Sequence, residues 1–187
     1  MENFIKNFLD QLNSEIKKIS CEDIAKTIKI LQSVHENNGR IYLIGNGGSS
    51  AIASHFANDL NKMNHDGDRP AKRFQAVCLS DNVPVLTAWA NDVGYEKIFS
   101  EQLKNFAKPN DVLIAISSSG NSPNIIEAAK TAKNLSLSII GFVGFNGGKL
   151  SEFTDARIYI PSQKYGIVES AHDAICHLII AYLQESI

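Results

Sequence analysis

The sequence has little of what marks secreted, membrane-spanning or nucleic-acid-binding proteins. Its three cysteines (Cys21, Cys78, Cys176) are an odd number without a Cys-x-x-Cys pair, which argues against a disulfide framework. It lacks an apolar run of about 18 residues, and its start, Met-Glu-Asn, does not resemble a secretion signal. It also lacks a basic stripe: 18 Lys and Arg face 20 Asp and Glu. These absences predict a cytoplasmic protein without a membrane or nucleic-acid partner.

The sequence lacks low-complexity segments and internal repeats, and its apolar runs alternate with amphipathic segments. With 187 residues, of which 44% are hydrophobic, it is long enough for one domain with an ample core. Strands are predicted near 40–45, 74–79, 111–117, 138–143 and 156–160, helices near 50–63, 82–91, 95–106, 123–134 and 168–186, and a loop at 65–70. The alternation predicts an α/β fold, a three-layer αβα sandwich with a five-stranded parallel sheet, over residues 39–187.

Residues 1–38 have a different pattern and predict an N-terminal helical hairpin. Phe4, Phe8, Leu12 and Ile16 recur every four residues, as on the apolar face of a helix, and a second amphipathic segment follows. Two such helices carry more apolar surface than one small sheet needs. They either close one face of the sheet or pack against another subunit, and we favour the subunit interface.

The turn after the third predicted strand indicates most about function. The strand ends in Ser117, Ser118 and Ser119, and Ser122 precedes Pro123, which suits the first turn of a helix. Hydroxyls and free backbone N–H groups at the positive end of a helix form a phosphate cradle. The alternative is a serine-rich loop that caps a helix and binds nothing.

A second polar turn, Asn46-Gly47-Gly48-Ser49, follows the first predicted strand. It begins like a dinucleotide-binding fingerprint, but the third glycine is missing and the next strand does not end in an acidic residue. In a parallel sheet, both turns lie at the carboxyl edge, where open α/β folds bind ligands. The two turns favour a small sugar phosphate over a dinucleotide.

Titratable residues on two predicted helices suggest a metal or proton-transfer site. His55 and Asp59 lie four residues apart on one helical face, a spacing that can share a metal ion or a proton or can be surface decoration. The last helix carries five proton-binding groups: Glu169, His172, Asp173, Cys176 and His177. A hydrogen-bonded core position is the alternative for either histidine alone.

Glu169 and His177 are eight residues apart, or about 12 Å along a regular helix, so one straight helix cannot bring both to one small ion. Either Glu169 precedes the regular helix, or the two residues serve different copies of the site across a subunit interface. We favour the interfacial site.

Together, these motifs resemble the sugar isomerase (SIS) domain proteins and, within them, the phosphoheptose isomerases. The resemblance spans nearly the whole chain and is carried by the leading helices and the segments Gly45-Asn46-Gly47-Gly48-Ser49, His55 to Leu60, Ala90-Asn91-Asp92 with Gly94, Ile116 to Ser122, Gly147-Gly148 and the final helix with His177. It implies a homotetramer with active sites between subunits and one zinc per subunit. It also implies conversion of sedoheptulose 7-phosphate to a manno-heptose 7-phosphate, a precursor of bacterial surface polysaccharide.

The resemblance also implies roles for individual residues. Phosphate binding falls on Ser117, Ser118, Ser119 and Ser122, and sugar contacts fall on Asn46, Gly47, Gly48, Asn91 and Asp92, with Glu169 a further substrate contact. Metal binding falls on His55, Asp59, Glu169 and His177. Asp59 is assigned as the base, with Glu169 as its substitute, and His177 as the acid or a metal ligand.

Among the departures from the family pattern, two fall on predicted site residues. The family usually has Glu where this chain has Asp59, and Gln where it has Glu169. Asp is shorter than Glu by one methylene, so a base at position 59 has a shorter reach, and the extra carboxylate at position 169 can compensate. The alternative function is that of a non-catalytic SIS-domain protein that binds a sugar phosphate or associates with a replication initiator. These departures are the observation that favours this alternative.

Overall fold

The computed structural model describes residues 1–63 and 72–186, so the predicted loop at 65–70 lies outside the described residues. Within them, five strands form one parallel sheet. The strands are β1 (Arg40–Gly45), β2 (Gln75–Cys78), β3 (Val112–Ser117), β4 (Ser138–Val143) and β5 (Ala156–Tyr159). The helices of the same residues are α1 (Glu2–Ile16), α2 (Cys21–Glu36), α3 (Gly47–Lys62), α4 (Val83–Asp92), α5 (Ser100–Phe106), α6 (Pro123–Asn134) and α7 (Tyr165–Ser186).

The strand order is β2-β1-β3-β4-β5, which confirms the predicted parallel α/β sandwich. Because side chains alternate along a strand, each strand contributes side chains to the two cores on opposite faces of the sheet. Leu43 and Ile114 face one core, and Tyr42 and Leu113 face the other. The chain leaves β1 in one direction toward β2 and returns on the other side of β1 as β3. The crevice between the ends of β1 and β3 is therefore the topological switch point, where such folds bind ligands.

The helices cover both faces of this sheet. Helices α2, α3 and α7 contribute to one core, while α5 and α6 contribute to the other. Of the two alternatives for residues 1–38, α2 fits the first, because it packs on the sheet against β5. Helix α1 instead packs on α7 and leaves Phe4, Ile5 and Leu9 exposed.

Three helices differ from their predictions, and the first of them, α3, begins at Gly47 instead of near residue 50. The predicted helix 95–106 is divided into a 3₁₀ turn (Tyr95–Lys97) and α5, a break that allows the adjacent Ile98 and Phe99 both to enter one core. Helix α7 begins at Tyr165, so Glu169 lies inside regular helix. The prediction that Glu169 could precede the helix is wrong.

By length and composition α7 could cross a membrane, but half of its apolar window is buried in the protein. A helix in the core of a globular domain has the same character.

Candidate active site and metal centre

The serine turn borders a cavity of about 210 Å³ at the switch point. Ser117 and Ser118 are buried at the end of β3, and α6 begins at Pro123, as the sequence predicted. Gly120 has a φ of 63°, and a side chain there would clash with the Gly147 carbonyl, which explains the glycine in this turn. The cavity is lined by Asn46, Ser49, Ile116, Ser117, Ser118, Ser119, Ser122, Tyr165 and Glu169.

One of these hydroxyls has hydrogen-bonding capacity that the described residues do not use. The Oγ atom of Ser118 is buried and has no hydrogen-bond partner among the described residues. An unsatisfied buried polar group costs roughly 1–3 kcal/mol, which a polar ligand that bonds to this hydroxyl would recover. Helix α6 begins at the same turn, and the positive end of its dipole favours an anion such as phosphate.

Asn46 is fixed by two residues that the sequence did not single out. Its side-chain amide exchanges two hydrogen bonds with Asn124, at 2.9 and 2.8 Å, and its Oδ1 accepts a third from the Tyr95 hydroxyl at 3.1 Å. This bonding ties the first turn to the start of α6. Asn124 gave no signal in the sequence, because an asparagine in the first turn of a helix is normally solvated.

Glu169 approaches the same cavity from α7. A Cβ atom built on Gly48 would lie 2.5 Å from Glu169 Oε2, so glycine at position 48 is what allows this carboxylate to approach the start of α3. A carboxylate at the N-terminus of a helix is stabilised by the helix dipole. Glu169 therefore lies in the serine cavity.

His55, Asp59 and His177 form a second centre. Each offers one ligand atom, and the three atoms lie within 4.8 Å of one another. Asp59 Oδ2 is 3.5 Å from His55 Nε2 and 3.6 Å from His177 Nδ1. Two imidazoles and a carboxylate are a ligand set of catalytic zinc sites, in which a fourth position stays open. The residues present therefore fit the zinc ion that the resemblance implies.

The two centres are separated along one pair of parallel helices. Glu169 lies beside Gly48 near the start of α3, and His177 contacts Asp59 further along both helices. One chain thus gathers three of the four predicted metal ligands and places Glu169 about 12 Å away along the helix. Metal binding by Glu169 stays a prediction, one that would require a second subunit.

Asn91 and Asp92 end α4 on the exposed surface, where the Asn91 side-chain amide donates to Asp92 Oδ1 at 2.8 Å. Among the described residues, those that line the serine cavity include neither of them. Their predicted sugar contacts stay a prediction for this chain.

His172 and Cys176 are buried on the core side of α7. Burial lowers the pKa of His172 to about 4, and its Nε2 lies 3.2 Å from the Val143 carbonyl, to which the neutral ring donates. Burial also raises the pKa of the Cys176 thiol well above its ordinary value. His172 therefore occupies a hydrogen-bonded core position, which was the alternative to a site role, whereas His177 lies in the second centre.

Three comparisons with known proteins agree with this geometry. The family model for the SIS domain matches residues 3–144. The phosphoheptose isomerase of Helicobacter pylori is 35% identical over 189 residues, which cover 96% of this chain and 93% of that protein. A probable phosphoheptose isomerase of Thermoplasma volcanium is 32% identical over 179 residues, covering 96% and 90%. The solved structure of a phosphoheptose isomerase from Neisseria gonorrhoeae aligns with a TM-score of 0.89 at 30% identity, covering 100% of this chain and 98% of that one.

Proposed function

The chain belongs to the SIS domain family and, within it, to the phosphoheptose isomerases, and we propose on this basis that it is a cytoplasmic enzyme that converts sedoheptulose 7-phosphate to a manno-heptose 7-phosphate. One observation carries the assignment of the site. Helix α3 begins at the serine cavity and, two to three turns later, carries His55 and Asp59 of the second centre. The chain thus places the phosphate site at the start of the helix that carries the proton-transfer site.

The serine cavity binds the phosphate group. Ser118 supplies a buried hydroxyl that lacks a protein partner within the described residues, and Ser117, Ser119 and Ser122 add further donors around it. Hydrogen bonds to a charged acceptor are stronger than neutral ones, so this turn anchors the substrate without taking part in the chemistry.

Isomerisation of a ketose to an aldose requires a base that moves a proton between C1 and C2, and an acid that protonates the carbonyl oxygen. We assign Asp59 as the base, and His177 either as the acid or, where it binds the ion, as a metal ligand. Asp59 has two carboxylate oxygens, so it can bind an ion through one and accept the proton through the other. Glu169 is the substitute base if Asp59 does not reach the substrate.

His55, Asp59 and His177 would hold the zinc ion. When bound, a zinc ion stabilises negative charge that develops on the substrate oxygens.

We further propose that the active site is completed between subunits of a homotetramer. The separation of Glu169 from His177 along α7, the exposed Asn91 and Asp92, and the exposed apolar residues of α1 support this arrangement. An interface between subunits would bring a second copy of these groups to each site and would cover the exposed apolar residues.

The direct test is incubation of the purified chain with sedoheptulose 7-phosphate, with added zinc and with a chelator, followed by identification of the sugar phosphates formed. We expect a heptose 7-phosphate aldose with zinc and little product with the chelator. Fructose 6-phosphate serves as the control ketose. Binding of sedoheptulose 7-phosphate without conversion, at any zinc concentration, would contradict the isomerase and support the non-catalytic alternative.

A further inference from the structure

We propose that Asp173 is a positioning residue that accepts hydrogen bonds from both histidines of the metal centre without binding the ion itself. This inference rests on the metal centre of the proposed function. Asp173 Oδ1 lies 3.5 Å from His55 Nδ1, and its Oδ2 lies 3.9 Å from His177 Nε2. One carboxylate thus faces two imidazole rings on two different helices.

Asp59 and Asp173 contact opposite nitrogens of each ring. Asp59 faces His55 Nε2 and His177 Nδ1, whereas Asp173 faces the other nitrogen of each histidine. A neutral imidazole can bind an ion through one nitrogen only while the other keeps its proton. With an ion on the Asp59 side, where the three candidate ligands converge, the two remaining N–H groups face Asp173.

Helical spacing produces this arrangement. His55 and Asp59 are four residues apart on α3, and Asp173 and His177 are four residues apart on α7. Because the two helices run parallel, histidine and aspartate alternate around a ring of four side chains. The two distances to Asp173 exceed a normal hydrogen bond, and its side chain, 42% exposed, has the freedom to close them.

A carboxylate that accepts the N–H of a metal-bound histidine fixes the tautomer and orientation of the ring and raises its basicity. Here one carboxylate orients two histidine ligands on different helices, so its removal would affect the orientation of both rings. Loss of such a partner lowers metal affinity by about 10–100-fold. From the sequence, Asp173 was one of the polar groups of the last helix and had no predicted role. Its contact with His55 was not predictable, because α3 is distant from α7 in the chain.

Zinc affinity tests the proposal without reference to activity. The full-length chain is freed of metal, and zinc is titrated in competition with a chromogenic chelator. We expect Asp173→Ala to bind one zinc per chain with about 10–100-fold lower affinity, and Asp173→Asn to be intermediate because an amide offers a single acceptor oxygen. Glu185→Ala, which removes an exposed carboxylate from the same helix, is the matched control and should bind zinc as the wild type does.

Cobalt(II) absorption then separates an orienting role from direct coordination. If Asp173 lies outside the coordination shell, the wild type and Asp173→Asn give visible bands of the same coordination class. A change of coordination number in Asp173→Asn would overturn the proposal by making Asp173 a ligand, and an affinity equal to that of the control would overturn it as well. A wild-type chain that binds no zinc would refute the proposed metal centre together with this role.

Discussion

His172 and His177 are five residues apart on α7, yet His172 is buried in the core and His177 is half-exposed. His172 is fully buried, and its pKa is lowered to about 4, so it stays neutral and donates to the Val143 carbonyl. His177 is half-exposed and lies beside Asp59. The chemistry of each histidine is therefore decided by which face of the helix it occupies.

The buried histidine predicts a specific loss of stability in acid. An unfolded chain protonates His172 near pH 6.5, whereas the folded chain does so only near pH 4, so unfolding takes up a proton between these values. The neutral His172 therefore contributes about 3 kcal/mol to the free energy of unfolding above pH 6.5. This contribution is lost as the pH falls toward 4. In His172→Gln, which lacks the titrating ring, we expect this pH dependence to disappear.

Urea unfolding of both proteins at matched concentration, from pH 7 to pH 4, measures the effect. The free-energy advantage of the wild type over His172→Gln should shrink across this range. Parallel pH profiles for the two proteins would contradict the buried, neutral state of His172.

Asp59 is the residue on which catalysis is expected to depend. Asp59→Asn keeps the size of the side chain but removes its charge and basicity, so turnover should be abolished while sugar phosphate still binds the serine cavity. Asp59→Glu, which restores the length usual in the family, should remain active. Steady-state rates and equilibrium binding of sedoheptulose 7-phosphate measure the two effects separately. Full activity in Asp59→Asn would transfer the role of base to Glu169.

Ser119→Ala should have the opposite effect. It removes one hydrogen bond to the phosphate, so binding should weaken first, by about 1–3 kcal/mol if that bond is charge-assisted. The same binding and rate measurements apply. Unchanged substrate affinity would indicate that this hydroxyl does not contact the phosphate.

At the scale of elements, the close approach of α7 to the start of α3 depends on Gly48. A Cβ at this position would lie 2.5 Å from Glu169 Oε2, so Gly48→Ala must displace the carboxylate from the serine cavity. We expect Gly48→Ala to change activity more than stability, because the displaced group is the end of a flexible side chain. The effect should largely vanish in a Glu169→Ala background.

Gly47→Ala is the matched control for this cycle. Gly47 has a φ of 53° but no atom within 4 Å of its Cβ position, so its substitution costs backbone strain that Glu169→Ala does not relieve. Activity and thermal unfolding of the single and double variants test the cycle. Additive effects of Gly48→Ala and Glu169→Ala would contradict the contact.

The sequence predicted those elements whose signals are local. β1 and β4 have the predicted bounds, and the serine turn lies between a strand and a helix that begins at Pro123, because apolar runs and turn residues define them. Contacts between distant segments were not predictable. The Asn46–Asn124 pair spans 78 residues, and the pairing of Asp173 with His55 depends on the parallel packing of α3 and α7. Thus the sequence indicated which groups carry the chemistry but not which of them meet.

At the scale of the whole molecule, α1 is the feature that a single chain does not explain. Phe4 is 74% exposed and forms an exposed apolar face of α1 together with Ile5 and Leu9. If this face joins subunits of the proposed tetramer, a charge placed there should disrupt assembly. We therefore expect Phe4→Glu to sediment as a smaller species and to lose activity on dilution.

Asn7→Glu adds the same charge at an exposed polar position of α1 and is the control, for which we expect the wild-type sedimentation coefficient. Sedimentation velocity at several protein concentrations gives the comparison. If Phe4→Glu sediments as the wild type does, α1 is not part of the interface.

The proposed reaction moves a proton between C1 and C2 of a heptulose phosphate. Nuclear magnetic resonance of sedoheptulose 7-phosphate with the zinc-loaded protein in deuterated water tests it most directly, because proton transfer through a basic side chain exchanges with solvent. We expect a heptose 7-phosphate aldose that carries deuterium at C2, and we expect neither product nor deuterium with Asp59→Asn. A substrate that binds the wild type yet remains unconverted and unlabelled would rule out isomerisation by this chain.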